Sequence, residues 1–423
     1  MSDRNAPPGM SSGPDALGSR SPDPAPAARS QSQPEFIAML ALIFAVIAFS
    51  IDSMLPALPE IAHALTPENV NRAQLVLTSF VSGMGLGLFL AGPLSDAFGR
   101  KPIITLGFGI YALAAIAAVF AQSLEMLLLA RFVQGLGAAA PRIVSLALVR
   151  DLYQGREMAR ITSFAMMIFI LIPAVAPSIG AGLIHLVGWR GVFGAFVVLA
   201  LIGSLWLNLR QAETLPPARR RPLSLSGLLA AAREVLSDRQ VQMITLVVTL
   251  GFGQMFALLS SAQQLFSEAY GKGDQFPLWF AAMALLSGTG TVLNARYVVR
   301  LGMRRIVKNA YAMQVVVSGV MLVLVFGNLL PEVLRFPAFF LWAVSVFFMA
   351  GVTFGNLNAM ALQRMGHVAG TAASVVAAVS TMGAVLIAAP VGQLYDGSAR
   401  PIILATLICS GLALWLMRRI DEV

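Results

Sequence analysis

Cysteine, histidine and charge are all scarce in this chain. The single cysteine, Cys409, lies in an apolar run, which excludes an intrachain disulfide framework and a cysteine-based zinc cluster. The three histidines, His63, His185 and His367, have no metal-pair spacing, and no HExxH, GxSxG or P-loop pattern occurs. A hydrolytic enzyme and an ATP-driven pump both fare poorly on these grounds, and nothing implies a cofactor. Charged residues make up only 12% of the 423 residues, about half the roughly 25% usual in soluble domains.

What fills the chain instead is apolar sequence. Hydrophobic residues reach 57%, in repeated uncharged runs, each long enough for the ~20 residues a helix needs to cross ~30 Å of hydrocarbon. The runs predict an all-α membrane protein with twelve transmembrane helices in two halves of six. The expected organisation is a disordered cytoplasmic tail over 1–35, rich in Pro, Ser, Ala and Gly, then a first bundle over 36–208. A central loop over 209–240, carrying a short amphipathic helix over 227–238, leads to a second bundle over 241–423.

The net charge of +9 reflects topology rather than nucleic-acid binding. With both termini placed in the cytoplasm, 22 of the 29 Lys and Arg residues fall on the inner side, five in outer loops and two, Arg131 and Arg142, inside span 4. That asymmetry fixes the orientation and sets the basic face against anionic inner-leaflet lipid. A faint internal repeat supports the division into halves. "DAFGRK" after span 2 and "VRLGMRR" after span 8 place Gly99 and Gly302 at matching points. Such duplication is typical of secondary transporters, whose sites lie between the repeats.

The informative residues are the ionisable ones inside spans, which are functional by default. Asp52 lies near the end of span 1 (36–58), about 24 Å along a helix entering from the cytoplasm. Arg131 lies about 9 Å into span 4 (125–149) from the outer surface. Their similar depth predicts that they pair and line the central cavity. Burial and a neighbouring guanidinium act on a carboxyl group in opposite senses, so a shift in either would load or release a proton. A permanent structural ion pair is the competing reading. Arg142, eleven residues beyond Arg131, shares its helix face about 16 Å away. It is suited equally to drawing in an anionic group and to snorkelling toward inner headgroups. Pro173, Pro177 and Gly180 in span 5 suggest a bend, shaping either the cavity or the packing. The second half has no mid-membrane acid. Its polar candidates for contact with substrate are Gln254, Gln263, Asn356 and Asn358, beside Asn294 and Gln314.

Several stretches carry a family resemblance. "GPLSDAFGRKP" (92–102) resembles the loop 2–3 signature of the major facilitator superfamily, and "RFVQGLGAAA" (131–140) the span-4 signature of its proton-coupled members. "DSMLPALPEIA" (52–62), "LVRDLY" (148–153), "NARYVVRLGMRR" (294–305) and "HVAGTAASV" (367–375) are similar to the bicyclomycin/chloramphenicol-resistance drug:proton antiporters, the Bcr/CflA type. The resemblance implies efflux of small apolar or amphipathic molecules in exchange for protons, by a monomer in a bacterial inner membrane. The alternative on the same fold is a proton-coupled symporter or an exchanger of a small, anionic metabolite. It also implies a gate built from Gly92, Asp96, Gly99, Arg100 and Lys101. Asp96 would meet the start of span 11 around 367–371, and Arg100 or Lys101 would meet Asp151. Departures from the pattern are Ala97 where a base is common, Ala176 before Pro177, and Arg142.

Overall fold

A computed structural model describes residues 31–220, 222–363, 365 and 369–420. The tail up to residue 30 and the span-11 approach at His367 and Val368 lie outside the described residues. Helices form the whole framework. The first half contains α1 (Gln33–Asp52), α2 (Leu58–Leu65), α3 (Leu75–Phe98), α4 (Arg100–Val119), α5 (Leu124–Leu152) and α6 (Gly155–Arg210). The connecting α7 (Leu225–Ser237) leads to the second half: α8 (Arg239–Gln264), α9 (Phe276–Leu301), α10 (Met303–Phe326), α11 (Glu332–Gln363), α12 (Ala369–Gln393) and α13 (Arg400–Arg419).

Among the described residues, eleven stretches are long and apolar enough to cross a membrane. One of them, within α6, holds two spans. They meet at Gly188, whose φ of 72° and ψ of 175° interrupt the helix and turn the chain back. The Trp189 N–H donates to Glu60 Oε2 at this turn. The count is therefore twelve, as the apolar runs predict. Within span 5 itself the helix continues through Pro173 and Pro177, and the sharp break stands at Gly188.

The internal repeat survives in three dimensions. α3 passes to α4 through Gly99 alone, and α9 to α10 through Gly302 alone. Their φ angles, 108° and 79°, lie where residues other than glycine are strained. A one-residue reversal thus recurs at the same place in each half.

Span 1 departs from the expected continuous helix over 36–58. α1 stops at Asp52, a short 3-10 turn covers Leu55–Ala57, and α2 then completes the crossing. Pro56 supplies the reason. A proline has no N–H, so it cannot bond to the Asp52 carbonyl four residues earlier, and its ring crowds that carbonyl.

Close packing in the first half depends on glycine. A Cβ on Gly83 would overlap the Phe132 carbonyl oxygen, and one on Gly135 would overlap that of Phe80. α3 and α5 therefore touch backbone to backbone in both directions, as small residues allow between membrane helices. Gly135→Ala is expected to force these helices apart and to lower stability by about 1–3 kcal/mol. A thermal melt of the detergent-purified protein checks this, with Gly109→Ala, where no atom stands within 4 Å, as the neutral reference.

The halves meet along two seams, α3 against α12 and α6 against α9. The basic central segment does not hang free. α7 packs on α8 and α12 through Val235, which is fully buried.

Candidate functional site

Four helices converge where α1 breaks. In α6, Gly180 sits so close to Ser53 that a Cβ would overlap the Ser53 carbonyl oxygen. From α4, the Tyr111 hydroxyl hydrogen-bonds Ser50 Oγ. From α5, Arg131 reaches into the same corner. Asp52 is 6% exposed and makes no hydrogen bond or ion pair among the described residues.

The expected Asp52–Arg131 pair is not formed. Arg131, wholly inaccessible to solvent, donates from Nη2 to the Ser50 carbonyl at 3.1 Å, from Nε to the Val76 carbonyl at 3.3 Å and from Nη1 to Gln134 Oε1 at 2.7 Å. Its guanidinium also lies 4.3 Å from the centroid of the Phe80 ring, with Phe193 and Phe196 near 6 Å. The cause is the break in span 1. The last turn of α1 presents carbonyls without helical partners and carries the negative end of the helix dipole. Arg131 is therefore held by backbone two residues from Asp52, and the carboxyl group keeps its own bonds free. Sequence reading missed Ser50, Tyr111 and Gln134. The signal was present in Gln134, a polar residue one turn from Arg131 within an apolar span.

Arg142 turns toward the middle of α3 and not toward inner headgroups. Its Nη1 lies 3.3 Å from Met84 Sδ, a weak acceptor.

At the end of the bundle where α3 turns into α4, the signature motif forms one connected network. The Arg100 guanidinium donates to Ser95 Oγ at 2.7 Å, to Asp96 and to Asp151 Oδ2 at 3.2 Å. Lys101 Nζ donates to the Asn208 carbonyl at 2.9 Å. Glu213, absent from the sequence-based candidates, accepts from the Arg100 and Lys101 backbone N–H groups at 3.0 and 3.1 Å. It thus caps α4 with a carboxylate, the charge a helix N-terminus favours. Thr214 adds a bond to Asp151 at 2.9 Å. Arg100 therefore does meet Asp151, whereas Asp96 bonds within the motif. Gly92 faces the other half, where a Cβ would stand 3.2 Å from Ser374 Oγ on α12.

The opposite end of the bundle is closed by uncharged groups. Asn71 Nδ2 donates to the Tyr395 carbonyl at 2.9 Å, and Gln393 Nε2 donates to the Asn71 carbonyl at 2.9 Å. Gln74 Nε2 donates to Gln264 Oε1 and Ser261 Oγ to Gln74 Oε1, each at 2.7 Å. These bonds tie that end of α3 to α8 and α12.

The second-half candidates separate. Gln263 borders a cavity of about 180 Å³ between the halves, beside His63, Gln74 and Glu268. Gln254 accepts from Ser410 Oγ at 2.8 Å, and Asn356 donates to Asn294 Oδ1 at 2.7 Å; both are interhelical bonds. Asn358, two residues on, lies exposed on the opposite side of α11 and does not join Asn356 in a site.

Comparison with known proteins accords with this architecture. A family model described as Major Facilitator Superfamily matches residues 40–388. A bicyclomycin resistance protein homolog of Haemophilus influenzae is 30% identical over 380 residues, covering 88% of this chain and 93% of its own. A chloramphenicol resistance protein of Pseudomonas aeruginosa is 32% identical over 251 residues, 59% of this chain and 58% of its own. Among solved structures, a D-xylose-proton symporter superposes with a TM-score of 0.71 at 14% identity, over 92% of this chain and 98% of that one. A partially occluded inward-open form of the xylose transporter XylE from E. coli gives 0.69 at 12% identity, with the same coverage of each chain. The chain is a multi-pass membrane transporter, not an enzyme, and it belongs to the major facilitator superfamily.

Proposed function

We propose that this transporter exports small, largely apolar molecules in exchange for protons, by alternating access of a site between its halves. Asp52 carries the proton, and Arg131 positions the broken end of α1 around it. The observation that carries this reading is a buried carboxyl group with no partner among the described residues, placed where a spanning helix is interrupted. An isolated carboxylate in such surroundings is costly, and taking up a proton removes the cost. Discontinuous helices near the membrane centre are a recurring way to build ion sites in secondary transporters. The names of the relatives, bicyclomycin and chloramphenicol resistance, support export of drug-like molecules.

In this reading Gly92, Asp96, Gly99, Arg100 and Lys101 form the inner gate, with Glu213 joining the central loop to it. The Asn71–Gln74 amide network forms the outer gate. Gln263 lies in the outer vestibule, and Gln254 and Asn356 hold helices around the cavity. The protein acts as a monomer in a bacterial inner membrane, with both termini in the cytoplasm. Proton-coupled uptake or exchange of an anionic metabolite is the second reading; the guanidinium of Arg142 accommodates an anion in either direction of transport.

Inside-out membrane vesicles separate the two. Export predicts that chloramphenicol or bicyclomycin enters the lumen when the lumen is acidified, and that an uncoupler abolishes entry. Substrate leaving such vesicles together with protons would establish symport instead.

A further inference from the structure

Neither arginine within span 4 has an anionic partner among the described residues. α5 uses one face, with Phe132, Leu136 and Ala139, against α3 through Gly83 and Gly87. It uses a second, with Gly137, Ala140 and Pro141, against α4 through Gly107. Arg131, Gln134, Arg142 and Ser145 fall on the remaining face, within an arc of about 80° at 100° per residue. α1 and α6 pack only lightly on α5, whereas α3 reaches this face through Val76, Phe80 and Met84.

Two groups on that stripe lack partners suited to them among the described residues. Ser145 Oγ has no hydrogen-bond partner, although Ser145 is 1% exposed. Arg142 has only the Met84 sulfur. Asp52, at the break in span 1, pairs with neither arginine among the described residues. A guanidinium in a membrane interior requires a counter-charge. Arg131 finds its compensation in carbonyls, but Arg142 does not.

We propose that Arg142, with Ser145 one turn further in, is a subsite for a carboxylate group of the transported molecule. The substrate class is then a small amphipathic acid, an apolar body with one anionic head. The planar guanidinium fork matches a carboxylate in a bidentate way, and the Ser145 hydroxyl supplies a further donor. Arg142 lies on the inner side of the middle of α5, about 16 Å from Arg131, so the anion and the Asp52 proton occupy separate places. A membrane potential negative inside drives an anion outward and a proton inward together. The inference deepens the export reading by naming its substrate class, and it rests on that reading for the direction of movement.

The test measures binding to the full-length purified protein at neutral pH without any proton gradient. Matched pairs of acid and uncharged amide serve as probes: benzoate and benzamide, salicylate and salicylamide, 1-naphthoate and 1-naphthamide. The wild type is expected to bind at least one acid about tenfold more tightly than its amide. Arg142→Gln is expected to abolish that preference while changing amide affinity by less than about twofold. Arg142→Lys is expected to keep part of the preference, which also guards against loss of fold. Equal affinity for acid and amide across the panel, including binding of neither, overturns the proposal. So does an Arg142→Gln variant that weakens both alike or keeps the preference. Because no gradient is present, this result is independent of whether proton coupling fails in vesicles.

Discussion

Replacing Asp52 with asparagine is expected to abolish uphill transport while leaving a folded protein that still exchanges substrate down its gradient. Asparagine keeps the size and shape of the side chain but cannot carry an ionisable proton. The native carboxyl group makes no hydrogen bond or ion pair among the described residues, so the substitution breaks no structural contact. The effect is large because each coupled proton contributes about 2.3 kcal/mol per 100 mV, a concentration ratio of about 50. In proteoliposomes with an imposed potential and pH gradient, the accumulation ratio is expected to fall to one. Counterflow between labelled and unlabelled substrate, with no gradient, is expected to continue. A permanent structural role would give the reverse pattern, with lower thermal stability and both activities reduced together.

The second large effect belongs to Arg131. Truncation to alanine strips three buried acceptors, the Ser50 and Val76 carbonyls and Gln134 Oε1, of their donor. Each acceptor left unsatisfied costs about 1–3 kcal/mol, and the ring contacts with Phe80 and its neighbours are lost as well. We expect a loss of about 3 kcal/mol or more in stability and transport at background level. Arg131→Lys keeps the charge but cannot span three acceptors with one compact ammonium, and is expected to restore part of the stability. A double-mutant cycle distinguishes this from an ion pair. If Asp52 and Arg131 were partners, Asp52→Asn would markedly reduce the cost of losing Arg131. With Arg131 held by carbonyls, the two stability effects add to within about 0.5 kcal/mol.

Which features were legible before the structure follows from how local their causes are. Twelve spans are written in apolar run length, a property that needs no tertiary contact. The Gly99–Gly302 repeat was visible as sequence and proved to be a shared backbone reversal with positive φ. Asp52 and Arg131 stood out because charge inside an apolar run is costly wherever it occurs. Their relation was not legible. Depth along two helices says nothing about which carbonyls a break exposes, and Pro56 moved the acceptors for Arg131 from a side chain to the backbone. Glu213 was missed because it reaches α4 across more than a hundred residues of sequence. The outer amide network was missed because asparagine and glutamine at span ends resemble ordinary loop polarity until two halves close over them. Asn358 was named beside Asn356 as a polar residue within an apolar span, although two residues on a helix face nearly opposite ways.

The claim on which everything else depends is that Asp52 gives up and takes back a proton as substrate comes and goes. Infrared difference spectroscopy of the protein in lipid, before and after substrate addition, reads this directly through the carbonyl stretch of a protonated carboxyl group. The account predicts a band that weakens when substrate binds, returns when it is washed out, and is missing in Asp52→Asn. A wild-type spectrum with no carboxyl band responding to substrate, or a responsive band that persists unchanged in Asp52→Asn, would contradict it.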